Sequence, residues 1–212
     1  MLNDHEETIK IYDKIAKIYE DKFMYLDLYN DTYAFLCEEL ALPNAKILEL
    51  GCGPGNITKY LLTRRPDFQI EAIDLAPNMI KLAKENNPSA QFHIMDCRNI
   101  HTLTTKFNAI ISGFTLPYLS KDECEKLILD CSNLLEHQGI VYLSCIEGNY
   151  ENSGYEYSSN GQEKMYIYYH QEDYIQQMLK ENNFDLIQVF RKPYPGKNGQ
   201  SATHLILIAV KK

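Results

Sequence analysis

The apolar positions of this chain change period several times, and each change marks an element. Ile9, Tyr12, Ile15, Ala16 and Tyr19 recur at i, i+3, i+4 spacing, which predicts an amphipathic helix within residues 4–42. A second apolar set (Tyr33, Leu36, Cys37, Leu40) follows a polar break near Asn30-Asp31, and Leu42-Pro43-Asn44 closes the segment. The period then shortens. Ile47, Leu48 and Leu50 read as a buried strand, followed by a turn holding Gly51, Gly53 and Gly55 and a helix from Ile57 to Arg64. Residues 68–74 alternate and stop on Asp74, a second strand, and Pro77 suits the first position of a helix running to Asn86. Residues 91–95 read as a third strand before Asp96. The apolar run 107–114 reads as a fourth, suited to the middle of a parallel sheet. Ser120-Lys121-Asp122-Glu123 has the form of a capping box, opening a helix to Glu136. A fifth strand (139–146), a helix (171–182) and strands at 184–192 and 203–211 complete the chain.

The ending decides the architecture. Only Pro193 to Thr203 joins the last two strands, and it includes Pro193, Pro195, Gly196 and Gly199. A parallel crossover needs about a dozen residues or more, usually a helix, so the last strand is expected antiparallel to its neighbour. The fold predicted is α/β, a doubly wound, mostly parallel seven-stranded sheet closed by a C-terminal antiparallel hairpin. Residues 1–43 form an N-terminal helical lid on a main domain of 44–212. The stretch from Glu147 to His170 is too long for an ordinary connection. Its Asn160-Gly161 pair between tyrosine-rich runs predicts an inserted hairpin at about 153–170, on the ligand side of the sheet.

Composition narrows the class. The 212 residues are 45% hydrophobic and 24% charged, enough to bury a sizeable core as one domain with an appendage. A net charge of −8 and the lack of a Lys/Arg cluster argue against a nucleic-acid partner. No apolar run is long enough for a membrane span and the N-terminus is acidic, so no membrane partner is expected. Six cysteines without a C-x-x-C pair read as buried reduced thiols, which implies a cytoplasmic protein. The scattered histidines offer no metal-ligand spacing, and the expected assembly is a monomer or homodimer.

The glycine spacing bears on the ligand. Gly51, Gly53 and Gly55 give G-x-G-x-G with Asn56 next, whereas a dinucleotide fingerprint requires G-x-G-x-x-G. Glu49, Asp74 and Asp96 fall at strand ends that share one sheet edge. Asp74 is placed to take both hydroxyls of a ribose, Glu49 to orient a ligand ammonium directly or through water, and Asp96 to accept from an adenine amino group.

With these residues the sequence resembles the class I S-adenosylmethionine-dependent methyltransferases. Ile47-Leu48-Glu49-Leu50-Gly51-Cys52-Gly53-Pro54-Gly55 is similar to that family's first motif, residues 72–79 to its ribose motif, and Met95-Asp96-Cys97 to its adenine-side motif. Residues 12–19, Tyr-Asp-x-x-Ala-x-x-Tyr, fit its N-terminal segment. The resemblance implies S-adenosyl-L-methionine as cofactor. It implies Glu49 at the methionine amino group, the turn of Gly51, Cys52 and Gly53 against the cofactor, Asp74 on the ribose, and Leu75 and Met79 beside the adenine. Asp96 and Cys97 fall at its amino edge, Gly113 near the sulfonium, and Tyr19 in the roof.

The sequence departs from the pattern in two places. Ala76 replaces the usual Ser, so the following helix lacks a side-chain N-cap. The stretch 112–118 is not the motif of amino-methylating nucleic-acid enzymes, and Tyr118 stands where many small-molecule members carry His. Tyr118 and His170 are the residues to test as a general base. The reading is a methyltransferase acting on an O or N of a small-molecule acceptor. Its rivals are a cofactor-binding module without transfer activity and a nicotinamide-dependent oxidoreductase, the latter opposed by the glycine spacing and the hairpin ending.

Overall fold

The computed structural model describes residues 4–157, 163–195 and 201–212. Helices α1 (Asp4–Phe23) and α2 (Asn30–Glu39) precede β1 (Lys46–Leu50), α3 (Asn56–Arg64), β2 (Gln69–Asp74), α4 (Pro77–Asn86) and β3 (Gln91–Ile94). A 3-10 turn (Cys97–Thr102) leads to β4 (Phe107–Ser112), and a second (Leu116–Tyr118) to α5 (Lys121–Leu134) and β5 (Leu135–Glu147). The small strands β6 (Gly154–Tyr157) and β7 (Lys164–Ile167) come next, then α6 (Glu172–Glu181), β8 (Phe184–Pro195) and β9 (Ser201–Lys211).

The main sheet has seven strands in the order β3-β2-β1-β4-β5-β9-β8. All neighbours from β3 to β5 run parallel, while β9 is antiparallel to both β5 and β8. The chain winds outward from β1 to β3 and then returns to place β4 on the other side of β1. That reversal opens a crevice at the carboxyl ends of the strands.

Period-two alternation divides the strand side chains between two layers. Leu48, Leu50, Ile110, Val141 and Leu207 pack with Leu127, Ile128 and Cys131 of α5 and Ile175 and Leu179 of α6. Ile47, Ala109, Ile111, Tyr142 and Ile206 pack with Tyr33 and Leu36 of α2, Leu61 of α3 and Ile80 of α4. Helix α5 starts on the full capping box, Ser120 accepting from the Glu123 amide while the Glu123 carboxylate accepts from the Ser120 amide at 2.8 Å.

Several boundaries differ from the sequence reading. The break between the first helices lies at residues 24–29 rather than at Asn30-Asp31, which instead open α2. An acid in the first turn favours that placement, because it complements the helix dipole. Strand β4 stops at Ser112, since Phe114 takes φ 58°, outside the strand region. Strand β5 begins at Leu135 and carries a register shift against β4 between Phe107 and Ala109. The final strands are longer than expected. Strands β6 and β7 pair antiparallel as the expected hairpin, though its Asn160-Gly161 tip lies outside the described residues.

Helix α1 crosses the sheet edge and is fastened at several points. Ile11 and Ile15 pack with Met165 and Ile167 of β7, and Lys14 pairs with Glu163 at 2.6 Å. Ala76 gives α4 no side-chain cap, as its sequence requires. Asp13 of α1 supplies one from a distance: Oδ1 accepts from the Asn78 amide at 2.7 Å, and Oδ2 from the Asn78 side chain at 3.1 Å. Removing this long-range cap by Asp13→Ala should cost about 1 kcal/mol in urea unfolding. The loss for Asp13→Asn should be smaller. An unchanged midpoint for the alanine variant would show that α1 and α4 are held by apolar packing alone.

Candidate functional site

The crevice between β1 and β4 contains a cavity built on the glycine turn. Gly51 has φ 64°, and a Cβ there would lie 2.6 Å from Thr115 Oγ1, which donates to the Leu50 carbonyl at 2.9 Å. Only glycine allows the β1 turn and the β4 loop to approach so closely. Gly55 (φ 82°) forms the N-cap of α3, where a Cβ would meet Asn87 Nδ2 at 2.4 Å.

Asp74, at the end of β2, ties this turn to α4. One carboxylate oxygen accepts from the Gly53 amide and the other from the Ala76 amide, both at 2.9 Å. Burial raises its pKa, and the backbone donors oppose that rise. A carboxylate has about four lone-pair sites, so each oxygen retains capacity for a further donor.

Glu49 lies beneath the turn at 1% exposure, outside the cavity lining. Its Oε2 accepts from the Thr58 hydroxyl of α3, while Oε1 is buried without a partner. Burial pushes its pKa up to about 8, against the pull of Thr58.

At the β3 side, Asp96 caps the 3-10 turn by accepting from the Arg98 amide at 2.9 Å and binds the Arg98 guanidinium through both oxygens. Arg98 also reaches Glu123 at 3.2 Å, and His5 of α1 meets the same Glu123 oxygen at 3.0 Å. Burial works against the Asp96 charge, yet the Arg98 bonds prevail and hold its pKa below the ordinary value. Cys97 beside it is pushed up to about 12 by burial.

Three phenols close the opposite wall. Tyr12 packs edge-on against Tyr19 (5.8 Å between centroids) and Tyr118 (5.5 Å), and the Tyr12 and Tyr118 hydroxyls share a hydrogen bond. Tyr19 covers the glycine turn, its ring 3.6 Å from where a Gly53 Cβ would stand. Burial raises the pKa of all three phenols, so each is neutral at physiological pH.

The model of a methyltransferase domain matches residues 47–139, from β1 to the start of β5. Malonyl-[acyl-carrier protein] O-methyltransferase of Acetivibrio thermocellus is 40% identical over 76 residues, 35% of this chain and 26% of that protein. Among solved structures, the magnesium protoporphyrin IX methyltransferase of Synechocystis with bound S-adenosylmethionine superposes with TM-score 0.72 at 16% identity, over 100% of this chain and 99% of the other. The 1,6-didemethyltoxoflavin-N1-methyltransferase of Burkholderia thailandensis superposes with TM-score 0.70 at 20% identity, over 100% and 92%. Residues 47–139 thus carry a methyltransferase domain, and the chain has the fold of S-adenosylmethionine-dependent methyltransferases. It spans only 49%, 26% and 65% of three curated relatives that it matches.

The expected site residues fall into two groups. Tyr19, Gly51, Gly53, Asp74 and Leu75 line the cavity, as do Met79, Asp96, Cys97, Gly113 and Tyr118. Glu49, Cys52 and His170 do not. Cys52 turns its side chain into the core under α3. His170 is wholly buried, with Nδ1 bonded to the Tyr174 hydroxyl and Nε2 to the Leu116 carbonyl at 2.9 Å. Both nitrogens are engaged away from the cleft, so the structure does not bring His170 to it as a base. Arg98, His5, Tyr12, Phe114 and Thr115 are lining residues that the sequence reading gave no site role. Tyr12 carried a signal, since it opens the N-terminal motif that also supplies Tyr19.

Glu49 makes a pH prediction. A pKa raised from 4.5 to about 8 on folding means the proton is held more tightly in the folded protein. The associated stability is fully present below pH 4.5 and is lost as pH rises through 8, by up to about 5 kcal/mol. The stability gap between Glu49→Gln and the ligand-free parent should therefore widen in favour of the variant from pH 4.5 to 9. A gap independent of pH in urea unfolding would mean that Glu49 is ionised at no cost.

Proposed function

We propose that the methyltransferase domain transfers a methyl group to an O or N of a small-molecule acceptor. The observation that carries this reading is Asp74, a carboxylate at the cleft oriented by the Gly53 and Ala76 amides with lone pairs left for ribose hydroxyls. The buried, unpartnered Glu49 Oε1 suits a cofactor ammonium, reached through water or a small shift of the turn. In this reading the Gly51 and Gly53 backbone cradles the cofactor, Leu75 and Met79 flank the adenine, and Gly113 leaves room at the sulfonium. Asp96 and Cys97 sit at the adenine edge, with Arg98 holding the Asp96 oxygens in place.

S-adenosylmethionine, when bound, supplies an already activated methyl group. The chain then has to position the acceptor and exclude water. Tyr118, a neutral phenol bonded to Tyr12, serves better as a hydrogen-bonding group than as a base. A small acceptor is supported by the net charge of −8 and by neighbours whose names specify magnesium protoporphyrin IX and 1,6-didemethyltoxoflavin as their substrates.

Calorimetry tests the reading directly. S-adenosylmethionine and S-adenosylhomocysteine should bind at micromolar level and NAD should not. Asp74→Ala should weaken the sulfur ligands about 10- to 100-fold, the loss expected for hydrogen bonds to a charged acceptor. Binding of NAD without any response to either sulfur ligand would sink the assignment.

The β6–β7 hairpin packs on α1 beside Tyr12 and Tyr118, which suggests that it covers the acceptor side. Replacing 154–169 by a short Gly-Ser bridge should leave S-adenosylhomocysteine affinity within about a few-fold, because Asp74 and the glycine turn lie on the sheet core. Methyl transfer to acceptors from a metabolite extract should fall much further. Sedimentation showing a dimer turned into a fully active monomer would make the hairpin an assembly contact instead.

A further inference from the structure

The cofactor reading uses the sheet edge over β1, β2 and β3. Over β4, β9 and β8 lies a second set of groups that it leaves idle. Phe114 lines the cleft next to Gly113 and holds φ 58°, a strained value for a bulky residue. Its amide donates to Ser144 Oγ at 2.7 Å, which fixes this backbone and sets the ring against His204, 4.6 Å between centroids.

His204 stands on β9 opposite Ile146 of β5 and Lys192 of β8. Its imidazole is nearly parallel to Tyr194 (4.6 Å, 11°) on the same strand pair and to Tyr29 (5.9 Å, 14°) from the α1–α2 link. The Tyr29 hydroxyl is 2.6 Å from Nδ1. Nε2 has no hydrogen-bond partner among the described residues, and it is not sealed from solvent as Glu49 Oε1 is. Lys192 is already paired with Asp31.

His170 provides the internal comparison. A histidine that serves only the core has both nitrogens satisfied, and His170 does. His204 has one nitrogen oriented by a phenol and the other open, beside a ring that lines the cleft. The Tyr29 bond holds the ring in place, and when Nδ1–H donates to the phenol oxygen Nε2 is left as an acceptor. Burial pushes the His204 pKa down to about 4, so the ring is neutral and keeps a lone pair at physiological pH.

We propose that His204 is an acceptor-binding residue, and that the acceptor is a flat aromatic ring bearing an O–H or N–H group. The ring lies against Phe114 at the cleft, and its O–H or N–H donates in the imidazole plane to Nε2 of His204, which stands behind the cavity lining with Tyr194 stacked on its face. Nδ1–H donates to the Tyr29 oxygen in this tautomer, which makes Tyr29 the positioning residue. The proposal rests on the methyltransferase reading above and adds the substrate class to it.

The test titrates protein saturated with S-adenosylhomocysteine with 2-naphthol and, as the non-planar control, cyclohexanol. Affinity is read by ligand-observed NMR and the ring nitrogens by nitrogen-15 histidine labelling. The expected result is binding of 2-naphthol, at least about tenfold tighter than cyclohexanol, with a shift of the His204 Nε2 resonance. His204→Phe keeps a stacking ring but no lone pair and should lose about tenfold for 2-naphthol with S-adenosylhomocysteine affinity unchanged. His204→Gln restores an acceptor oxygen and should recover part of that loss. Tyr29→Phe should weaken 2-naphthol by about a few-fold, since only the tautomer is released. If His204→Phe does not fold, the glutamine variant and the resonance decide. Equal 2-naphthol affinity in parent and variants, an unmoved Nε2 resonance, or no preference over cyclohexanol would overturn the proposal. Failure of the parent to bind S-adenosylhomocysteine is a separate outcome and would overturn the methyltransferase reading beneath it.

Discussion

The Asp74 carboxylate is the joint on which this site depends. Standing at the end of β2, it accepts the Gly53 amide from the β1 turn with one oxygen and the Ala76 amide ahead of α4 with the other. The pair fixes the distance between the two loops that frame the cleft. Burial opposes its charge, and the backbone donors compensate in part, so the acid is left with a raised pKa and unused lone pairs. A ligand that brings further donors would complete what the backbone begins. Helix α1 joins the same arrangement from outside, since Asp13 caps α4 at Asn78 two residues beyond Ala76. The sequence loses a local cap at Ala76, and helix α1 provides the replacement. The placement of α1 and the geometry of the Asp74 loop are therefore mechanically connected.

Much of this was legible because local chemistry and tertiary position agree. The G-x-G-x-G turn, the acid at the end of β2 and the Pro77 helix start each have one good conformation, and the fold uses it. The antiparallel last strand followed from the length and composition of its connection alone. The elements that misled are those whose outcome depends on distant partners. Asn30-Asp31 reads equally well as a break and as a helix start, and packing of Tyr33 and Leu36 decides for the helix. The run to Phe114 looks like strand by hydropathy, but the Ser144 hydroxyl takes its amide and turns the backbone out of the sheet.

Side-chain direction was the part the sequence could not supply. In the sequence His170 closes a tyrosine run and reads as a candidate base, whereas His204 sits in an apolar strand and draws no attention. One is closed off by Leu116 and Tyr174, while the other reaches the cleft wall through Phe114. Likewise Asp96 reads as a free acid at a strand end, yet Arg98 two residues on binds it, and the fold brings Glu123 to the other side of that Arg98. The Leu116, Glu123 and Phe114 contacts are set by segments returning from elsewhere in the chain, and spacing does not report them.

The sheet edge is divided by chemistry as well as by topology. Over β1, β2 and β3 the cleft offers carboxylates and backbone groups; past β4 it offers the Phe114 ring, backed by those of His204 and Tyr194. Four phenols and His204 are held neutral there: burial raises Tyr12, Tyr19, Tyr118 and Tyr29 and lowers His204. A neutral aromatic wall beside a charged cradle suits a reaction in which the positive charge arrives with one ligand and the other must be dry and aligned. Strong base chemistry is not what such a wall provides. Selectivity on that side then comes from shape and from the few open hydrogen-bonding atoms, which is why one uncommitted imidazole nitrogen carries more information than the many tyrosines around it.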